Sequence, residues 1–199
     1  YTSYTSGNFV TCVEVESWKC GEIVAKIYRE MQVVLLPCPG MNVPPTVTPP
    51  FADASGILSL WNDTIYAGEM VTFNMSATDF DLLPTGFPQT MTISASGGQF
   101  GNGYTDILNG CIQPPCAILS PAPPVINQFG VATTFNWQTS CDHLSYQTGC
   151  NTYSNTYTFV IKTSDDFCPA PAINIGTVSI TVLPGVTTGP TINCINREL

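Results

Sequence analysis

Apolar and uncharged polar side chains alternate one by one along several segments of the chain. Residues 71–78 show the pattern most clearly, because Val71, Phe73, Met75 and Ala77 are separated by Thr, Asn, Ser and Thr. A period of two is typical of a β-strand that buries one of its faces. The pattern recurs in residues 90–95, 134–138, 157–162 and 173–183. It therefore predicts a chain built mainly from half-buried strands.

Proline and glycine separate these segments. The chain has 17 Pro and 16 Gly in 199 residues, which disfavours long helices. Short alternating strands divided by such turns favour an all-β fold, an antiparallel sandwich of the Ig-like or cadherin-like kind. In the last segment the apolar parity changes at Gly176, from Ile173 and Ile175 to Val178 and Ile180. A β-bulge is expected there.

The first 40 residues predict a hairpin, with strands at 9–18 and 23–36 and a turn at 19–22. A two-stranded hairpin is marginally stable alone, so we interpret it as the C-terminal hairpin of a preceding sandwich repeat. The strand end Leu-Pro at 36–37 recurs at 183–184, as tandem domains would produce. The predicted division is 1–40 for this hairpin, 41–184 for a complete sandwich, and 185–199 for a linker or the first strand of a following domain.

Charge excludes several classes of partner. Five Lys and Arg stand against 14 Asp and Glu, a net charge of −9, so we expect no binding to nucleic acid or to anionic membranes. No apolar run approaches the roughly 20 residues that a membrane-spanning helix needs. The chain begins with Tyr1 and shows no signal peptide, as in a mature product or an excised fragment.

Nine cysteines predict structural disulfides rather than a metal centre. None forms a Cys-x-x-Cys pair, and His143 is the only histidine, whereas zinc and iron–sulfur sites need clustered soft ligands. Disulfides persist in oxidising compartments, so we expect an extracellular or cell-surface location. The odd count leaves at least one thiol free or paired outside the chain.

Two disulfides are predicted. Cys111 and Cys116 would staple a long insertion at 97–125, reducing the entropy of that loop. Cys141 and Cys168 each follow a core strand and could meet, although Cys150 competes for Cys141. Cys12 shares a strand face with Glu14 and Glu16 and is expected to be exposed. No partner is assigned to the remaining cysteines, Cys20, Cys38 and Cys194.

The segment 67–81, Ala-Gly-Glu-Met-Val-Thr-Phe-Asn-Met-Ser-Ala-Thr-Asp-Phe-Asp, resembles the opening of bacterial cadherin-like and Ig-like surface repeats. Residues 135–144 and 157–169 fit later strands of the same repeats, W-x-T-x-C and then a Tyr strand ending in D-D-x-C-P. Over 41–184 the chain resembles large secreted proteins of Bacteroidetes, the gliding-motility and type IX secretion group. The resemblance implies a structural or adhesive segment of a surface adhesin or filament. Its partners would be neighbouring domains or other copies of itself.

Calcium is the metal that the sequence suggests. Asp79 and Asp81 are alternate residues at a strand end and point the same way, while Asp165 and Asp166 close a second strand. Calcium takes six to eight oxygen ligands. The competing interpretation is that these Asp side chains cap turns by accepting from backbone amides.

The cadherin-like resemblance implies that a D-x-D of this kind binds calcium between domains, together with the linker. Asn42 or Asp53 would supply the linker groups. The chain departs from the family in lacking a D-x-N-D-N linker; it has Met-Asn-Val-Pro-Pro at 41–45.

Two kinds of glycan attachment are predicted. Asn62-Asp-Thr64 and Asn74-Met-Ser76 are N-glycosylation sequons, with Asn62 the better candidate. Asp63-Thr64-Ile65 also resembles the Bacteroidetes O-glycosylation motif, which implies a sugar on Thr64.

Catalysis is not expected. Residues 140–145 contain Ser, Cys, Asp and His, but a triad needs groups that converge in space rather than in sequence. The alternative function is a carbohydrate- or surface-binding module that uses loops 97–125 and 141–156, since loop aromatics can stack on the sugars of surface glycans. Packing within the loops is the competing role for these aromatics, which are Tyr1, Tyr4, Tyr104, Tyr146, Tyr153 and Phe167.

Overall fold

The structure is a computed structural model that describes residues 7–35, 42–147, 152–167 and 171–185. These residues form β-strands and two single 3-10 turns, so the predicted all-β fold is confirmed. The chain divides into two compact units, one holding an N-terminal hairpin and the other beginning at Asn42. No helix within the described ranges is long and apolar enough to cross a membrane.

The N-terminal hairpin pairs β1 (Gly7–Lys19) with β2 (Glu22–Leu35) in antiparallel register. A two-residue turn joins them, and both of its residues have positive φ, 53° at Cys20 and 85° at Gly21. Positive φ at both central residues is what a tight hairpin turn of the I′ type requires. Both predicted strands of this hairpin are therefore present.

The described residues from Asn42 onward contain thirteen strands. In chain order they are β3 (Thr46–Thr48), β4 (Phe51–Ala52), β5 (Leu58–Leu60), β6 (Asn62–Tyr66), β7 (Met70–Thr78), β8 (Thr90–Ser96), β9 (Ile118–Ser120), β10 (Val125–Gln128), β11 (Gly130–Gln138), β12 (Tyr146–Gln147), β13 (Thr152–Tyr153), β14 (Asn155–Ser164) and β15 (Ile173–Leu183). The 3-10 turns are Asn102–Tyr104 and Cys141–His143.

Two sheets make the sandwich. One has the order β3-β7-β11-β9 and the other the order β10-β8-β14-β15-β6. With the edge strands β10 and β6 set aside, this is the ABED and CFG arrangement of an immunoglobulin-like sandwich. Every pairing within the two sheets is antiparallel except that of β6 with β15, which is parallel. The strands β4–β5 and β12–β13 form two small additional pairs.

The core lies between the two sheets and follows the alternation in the sequence. Along β7 the odd-numbered residues from Val71 to Ala77 are buried and the residues between them face outward. Aromatic rings fill the centre, with Phe73 stacked on Phe135 at 4.5 Å and Phe135 edge-on to Phe159 at 4.8 Å between centroids. Each such side chain contributes about 1.5–3 kcal/mol on burial.

The predicted bulge at Gly176 is wrong. The register of β14 with β15 runs without a shift, and Gly176 lies opposite Ile161. Gly176 is buried, whereas Ile173 and Ile175 are exposed on the outer face. A Cβ at Gly176 would lie 2.4 Å from the ring of Trp61. The apolar residues change parity at this point because Gly176, on the buried face, has no side chain and leaves room for the ring of Trp61.

Candidate functional site

Polar side chains meet at one end of the sandwich. Asp79 follows the last residue of β7, Asp165 follows β14, Gln89 precedes β8, and Asn42 lies just before β3. Antiparallel pairing brings these strand ends to the same edge of the fold. We call Asn42, Asp79, Asp81, Gln89 and Asp165 the acidic pole.

Hydrogen bonds hold the entering segment, Asn42 and Val43, which leads into β3, at the acidic pole. The Nδ2 of Asn42 donates to the Oδ2 of Asp165 at 2.9 Å, and the Nε2 of Gln89 donates to the Oδ1 of Asn42 at 2.7 Å. The amide of Val43 donates to the Oδ2 of Asp81 at 2.8 Å. Two consecutive residues of the entering segment are therefore fixed by three polar side chains.

The carboxylates of the pole also organise the backbone around them. Asp165 accepts from the amides of Phe167 and Ala172 at 3.0 and 2.8 Å, and Asp79 accepts from the amide of Asp81 at 2.9 Å. These are the turn-capping contacts that compete with a metal-binding role. They occupy the Oδ1 atoms of both carboxylates.

Two buried oxygens of the pole have no hydrogen-bond partner among the residues that the structure describes. They are the Oδ2 of Asp79 and the Oε1 of Gln89, in side chains that are 8% and 2% exposed. Burial raises the pKa of Asp79 above its usual value, and the nearby charges of Asp81 and Asp165 raise it further. Because buried polar atoms are normally satisfied, each of these two oxygens is an acceptor that a ligand offering positive charge could satisfy.

Asp166 and Asp53, the other two groups predicted to bind calcium, make different contacts. Asp166 accepts from the amide of Thr90 at 2.8 Å, next to Gln89. Asp53 closes its own turn instead, accepting from the hydroxyls of Ser55 and Ser59 and from the amides of Ser55 and Ile57. These bonds lower the pKa of Asp53 to about 2. Of the two linker groups considered, Asn42 therefore contacts the carboxylate of Asp165, whereas Asp53 caps a turn.

Within the described residues, no three His, Cys, Asp or Glu side chains stand close enough to hold a metal ion by themselves. Calcium accepts amide and backbone oxygens as well as carboxylates, so Asn42 and Gln89 matter as much as the aspartates. The sequence contains no pattern that identifies Gln89, because its role arises only where β8 begins beside the end of β14.

The cysteines of the described residues agree with the predictions from the sequence. Cys111 and Cys116 form the predicted disulfide, with Cα atoms 5.6 Å apart. Cys12 is exposed, as predicted, and its thiol is free. Cys20 and Cys141 each take part in a disulfide. Cys168 and Cys150, the two partners considered for Cys141, lie outside the described residues, as do Cys38 and Cys194.

His143 is a core residue. Its ring is fully buried against Trp137 and Tyr157. The Ser140 amide donates to Nδ1 at 2.8 Å, so Nδ1 is unprotonated and Nε2 carries the hydrogen, which it donates to the Gln113 carbonyl at 2.9 Å. Burial lowers the pKa of this imidazole.

The loop aromatics mostly pack against their surroundings. Tyr104 donates its hydroxyl to the Ala95 carbonyl at 2.7 Å and its ring meets Phe100 edge-on, while Tyr146 packs on Tyr153. Phe167 is buried, which agrees with packing within its loop and not with stacking on a sugar. Tyr1 and Tyr4 lie outside the described residues.

An open cavity of about 350 Å³ lies beside Tyr104, in the 97–125 loop. Its wall is mostly backbone and glycine, with Phe100 and Asn102 as the other large side chains. Such a hollow presents amide groups next to an aromatic edge, which is chemistry that suits a sugar.

Both glycan attachment residues are accessible. Asn62 and Thr64 are exposed on β6, at the edge of the five-stranded sheet. Accessibility is necessary for modification, and the attachment itself stays a prediction. Comparisons with known proteins add no family: no protein-family model and no curated protein matches the chain.

Proposed function

We propose that the chain is a structural or adhesive segment of an extracellular, multi-domain bacterial surface protein or filament, like the Bacteroidetes gliding-motility and type IX secretion proteins that it resembles. The observation that carries the proposal is the parallel pairing of β6 with β15. The remaining support comes from the acidic pole and from the disulfides.

The β6–β15 pair resists tension because of its direction. β6 lies near the start of the sandwich and β15 is its last strand, so a pull on the two ends of the sandwich drives the two strands in opposite directions along their axes. Hydrogen bonds then share the load instead of opening one after another. The ladder is closed at its two ends by Ser179 N to Trp61 O at 2.9 Å and Ala67 N to Leu183 O at 2.8 Å.

Single-molecule pulling on the full chain tests this role. Ala67→Pro removes one ladder amide, and the force at which the sandwich unfolds should fall. Leu83→Pro is the control, since it removes a loop hydrogen bond of the same 2.8 Å length, to the Phe87 carbonyl. Both variants should lose thermal stability, but only Ala67→Pro should lose mechanical strength. An equal decrease of the unfolding force in the two variants would argue against a mechanical role of the β6–β15 pair.

Calcium at the acidic pole would stiffen the entry to the sandwich. A bound cation would offset the charge of Asp79 and satisfy its free oxygen together with that of Gln89, and Asn42 would join the site to the entering segment. The other acidic groups are Asp81, Asp165 and Asp166. This arrangement supports a calcium-dependent rigidity of the segment that leads into β3.

Thermal melting with calcium or with chelator tests the site. At about 100 times the Kd, calcium should add about 2.7 kcal/mol, a rise of several degrees in Tm. Asp79→Asn should abolish the rise, and at neutral pH without calcium it should melt above the wild type because it removes the carboxylate charge that burial disfavours at this position. Asp142→Asn, which removes an exposed carboxylate of the second 3-10 turn, should keep the full calcium response. No shift in the wild type at millimolar calcium would remove the cation from the proposal.

The disulfides support an extracellular location, and the positions of His143 and Cys141 support a role other than catalysis. The imidazole is fully buried and Cys141 is bonded through sulfur, so neither offers a base or a nucleophile to a substrate.

A carbohydrate- or surface-binding module is the second candidate, favoured by the cavity beside Tyr104. A glycan array tests it: saturable sugar binding that is lost on Tyr104→Ala and Tyr146→Ala would replace the mechanical role as the main function. Melting of both variants shows whether any loss comes from unfolding.

A further inference from the structure

The two faces of the β1–β2 hairpin differ sharply. Paired residues share a face, and one face carries the pairs Thr11–Met31, Val15–Ile27 and Ser17–Ala25, with Arg29 as its one charged side chain among the described residues. Val15, Ile27 and Met31 are each about half exposed, at 47%, 49% and 51%. We call this the apolar face.

The opposite face is charged and hydrated. Lys26 forms ion pairs with Glu14, at 2.7 Å, and with Glu16, and Cys12 lies on the same face opposite Glu30. The Lys26 ammonium lowers the pKa of Glu14, so this carboxylate is ionised at neutral pH. A face of this kind remains in water, so any packing partner of the hairpin would lie against the apolar face or along a strand edge.

The outer edge of β1 is available for pairing. Within the part of the chain that the structure describes, the sheet that contains β1 has only β2 as its second strand. The 13 residues of β1 have a single register irregularity, between Ser17 and Trp18. A long, regular edge is a template for another strand.

We propose that the edge of β1 pairs antiparallel with β1 of a second copy of this chain, about a twofold axis at Cys12, to form a four-stranded sheet with one continuous apolar face. The proposal deepens the structural role proposed above by naming a lateral partner. Repulsion between carboxylates excludes several other registers, and the pairing of Phe9 with Val15 favours the axis at Cys12.

A twofold axis at Cys12 places Val10 opposite Glu14, Asn8 opposite Glu16, and Thr11 opposite Val13. No two carboxylates face each other, and the Asn8 amide can donate to Glu16. Phe9 lies opposite Val15, an aromatic and β-branched pair of the kind that stabilises sheets. An axis at Glu14, Val15 or Glu16 would instead set carboxylates directly against each other, which is destabilising.

Sedimentation velocity of the full chain over a range of concentrations tests the dimer. Val10→Glu places a like charge opposite each Glu14 and should weaken dimerisation about tenfold, whereas Val10→Lys should strengthen it. Val34 provides the matched control, because it is also exposed but lies on β2, outside the proposed edge. Val34→Glu and Val34→Lys should leave the dimer unchanged.

Oxidation by copper phenanthroline tests the axis. The oxidant takes two electrons from two Cys12 thiols, which lose their protons and form one disulfide between copies, identified by peptide mapping. Cys12→Ser should abolish this cross-link. Asn8→Cys in the Cys12→Ser background should not restore it, because thiols four residues from the axis lie about 26 Å apart.

A chain that stays monomeric at all concentrations, a wild type that forms no Cys12 cross-link, or equal responses to the Val10 and Val34 variants would overturn the proposal. None of these results would alter the pulling or calcium experiments, so failure of the dimer is distinguishable from failure of the proposed function.

Discussion

His143 shows how one buried side chain joins distant segments. A hydrogen bond from its ring to the Gln113 carbonyl connects the 3-10 turn at Cys141–His143 to the long insertion. Tyr157 donates its hydroxyl to the His143 carbonyl at 2.9 Å. The nearby Trp137 indole donates to the Pro115 carbonyl at 2.9 Å. Hydrogen bonds to backbone carbonyls thus hold the insertion to the core, together with the packing of Phe100 against Phe135 and Phe159.

The lowered pKa of His143 gives the protein a pH dependence. The folded state keeps the imidazole neutral, while the unfolded state binds a proton below pH about 6.5. Stability is therefore full above pH about 6.5 and declines below it, by up to about 2 kcal/mol at pH 5. Urea unfolding between pH 7.5 and 5 measures the decline. The same series on His143→Gln should be flatter, and a wild type with no decline would contradict a neutral buried imidazole.

Gly176 is a residue whose importance is steric. Ala at this position would put its methyl group into the ring of Trp61, and we expect a loss of about 1–3 kcal/mol from overpacking. Gly130→Ala is the control, because a Cβ at Gly130 would meet ordinary contacts at 3.8 and 3.9 Å. Chemical denaturation measures both variants. Equal stability in the two would show that the indole moves aside without cost.

At the scale of elements, the disulfide loop has the clearest energetic consequence. Cys111 and Cys116 close a short loop beside the buried Gln99 and His143. Replacing both by Ser should lower the free energy of unfolding by about 2 kcal/mol, because the unfolded chain regains loop entropy. Cys12→Ser, which removes a free exposed thiol, should be neutral. A double variant as stable as the wild type would mean that the polar contacts alone hold the insertion.

For the whole molecule, the two units differ in what stabilises them. The hairpin has two strands with exposed faces, whereas the sandwich has a continuous buried core. Hydrogen exchange at low protein concentration should therefore be fast in β1 and β2 and slow in β11 and β14. Raising the concentration should slow exchange along β1 if copies pair. Equal protection of hairpin and sandwich in dilute solution would contradict this view.

The alternation of side chains was enough to predict the sandwich, the hairpin and most of the core, because a strand that buries one face must repeat every two residues. The Cys111–Cys116 disulfide followed from spacing alone. Strands β3 to β6, β9, β10, β12 and β13 were missed, since at two to five residues each they are too short to show a period.

Tertiary structure decided the rest. The acidic pole required strand ends from distant parts of the sequence to meet, and Gln89 carries no local signal of its role. The parallel β6–β15 pair and the space above Gly176 likewise depend on which strands become neighbours. Local chemistry sets which face of a strand is buried, but only the fold sets what that face, or the end of that strand, will touch.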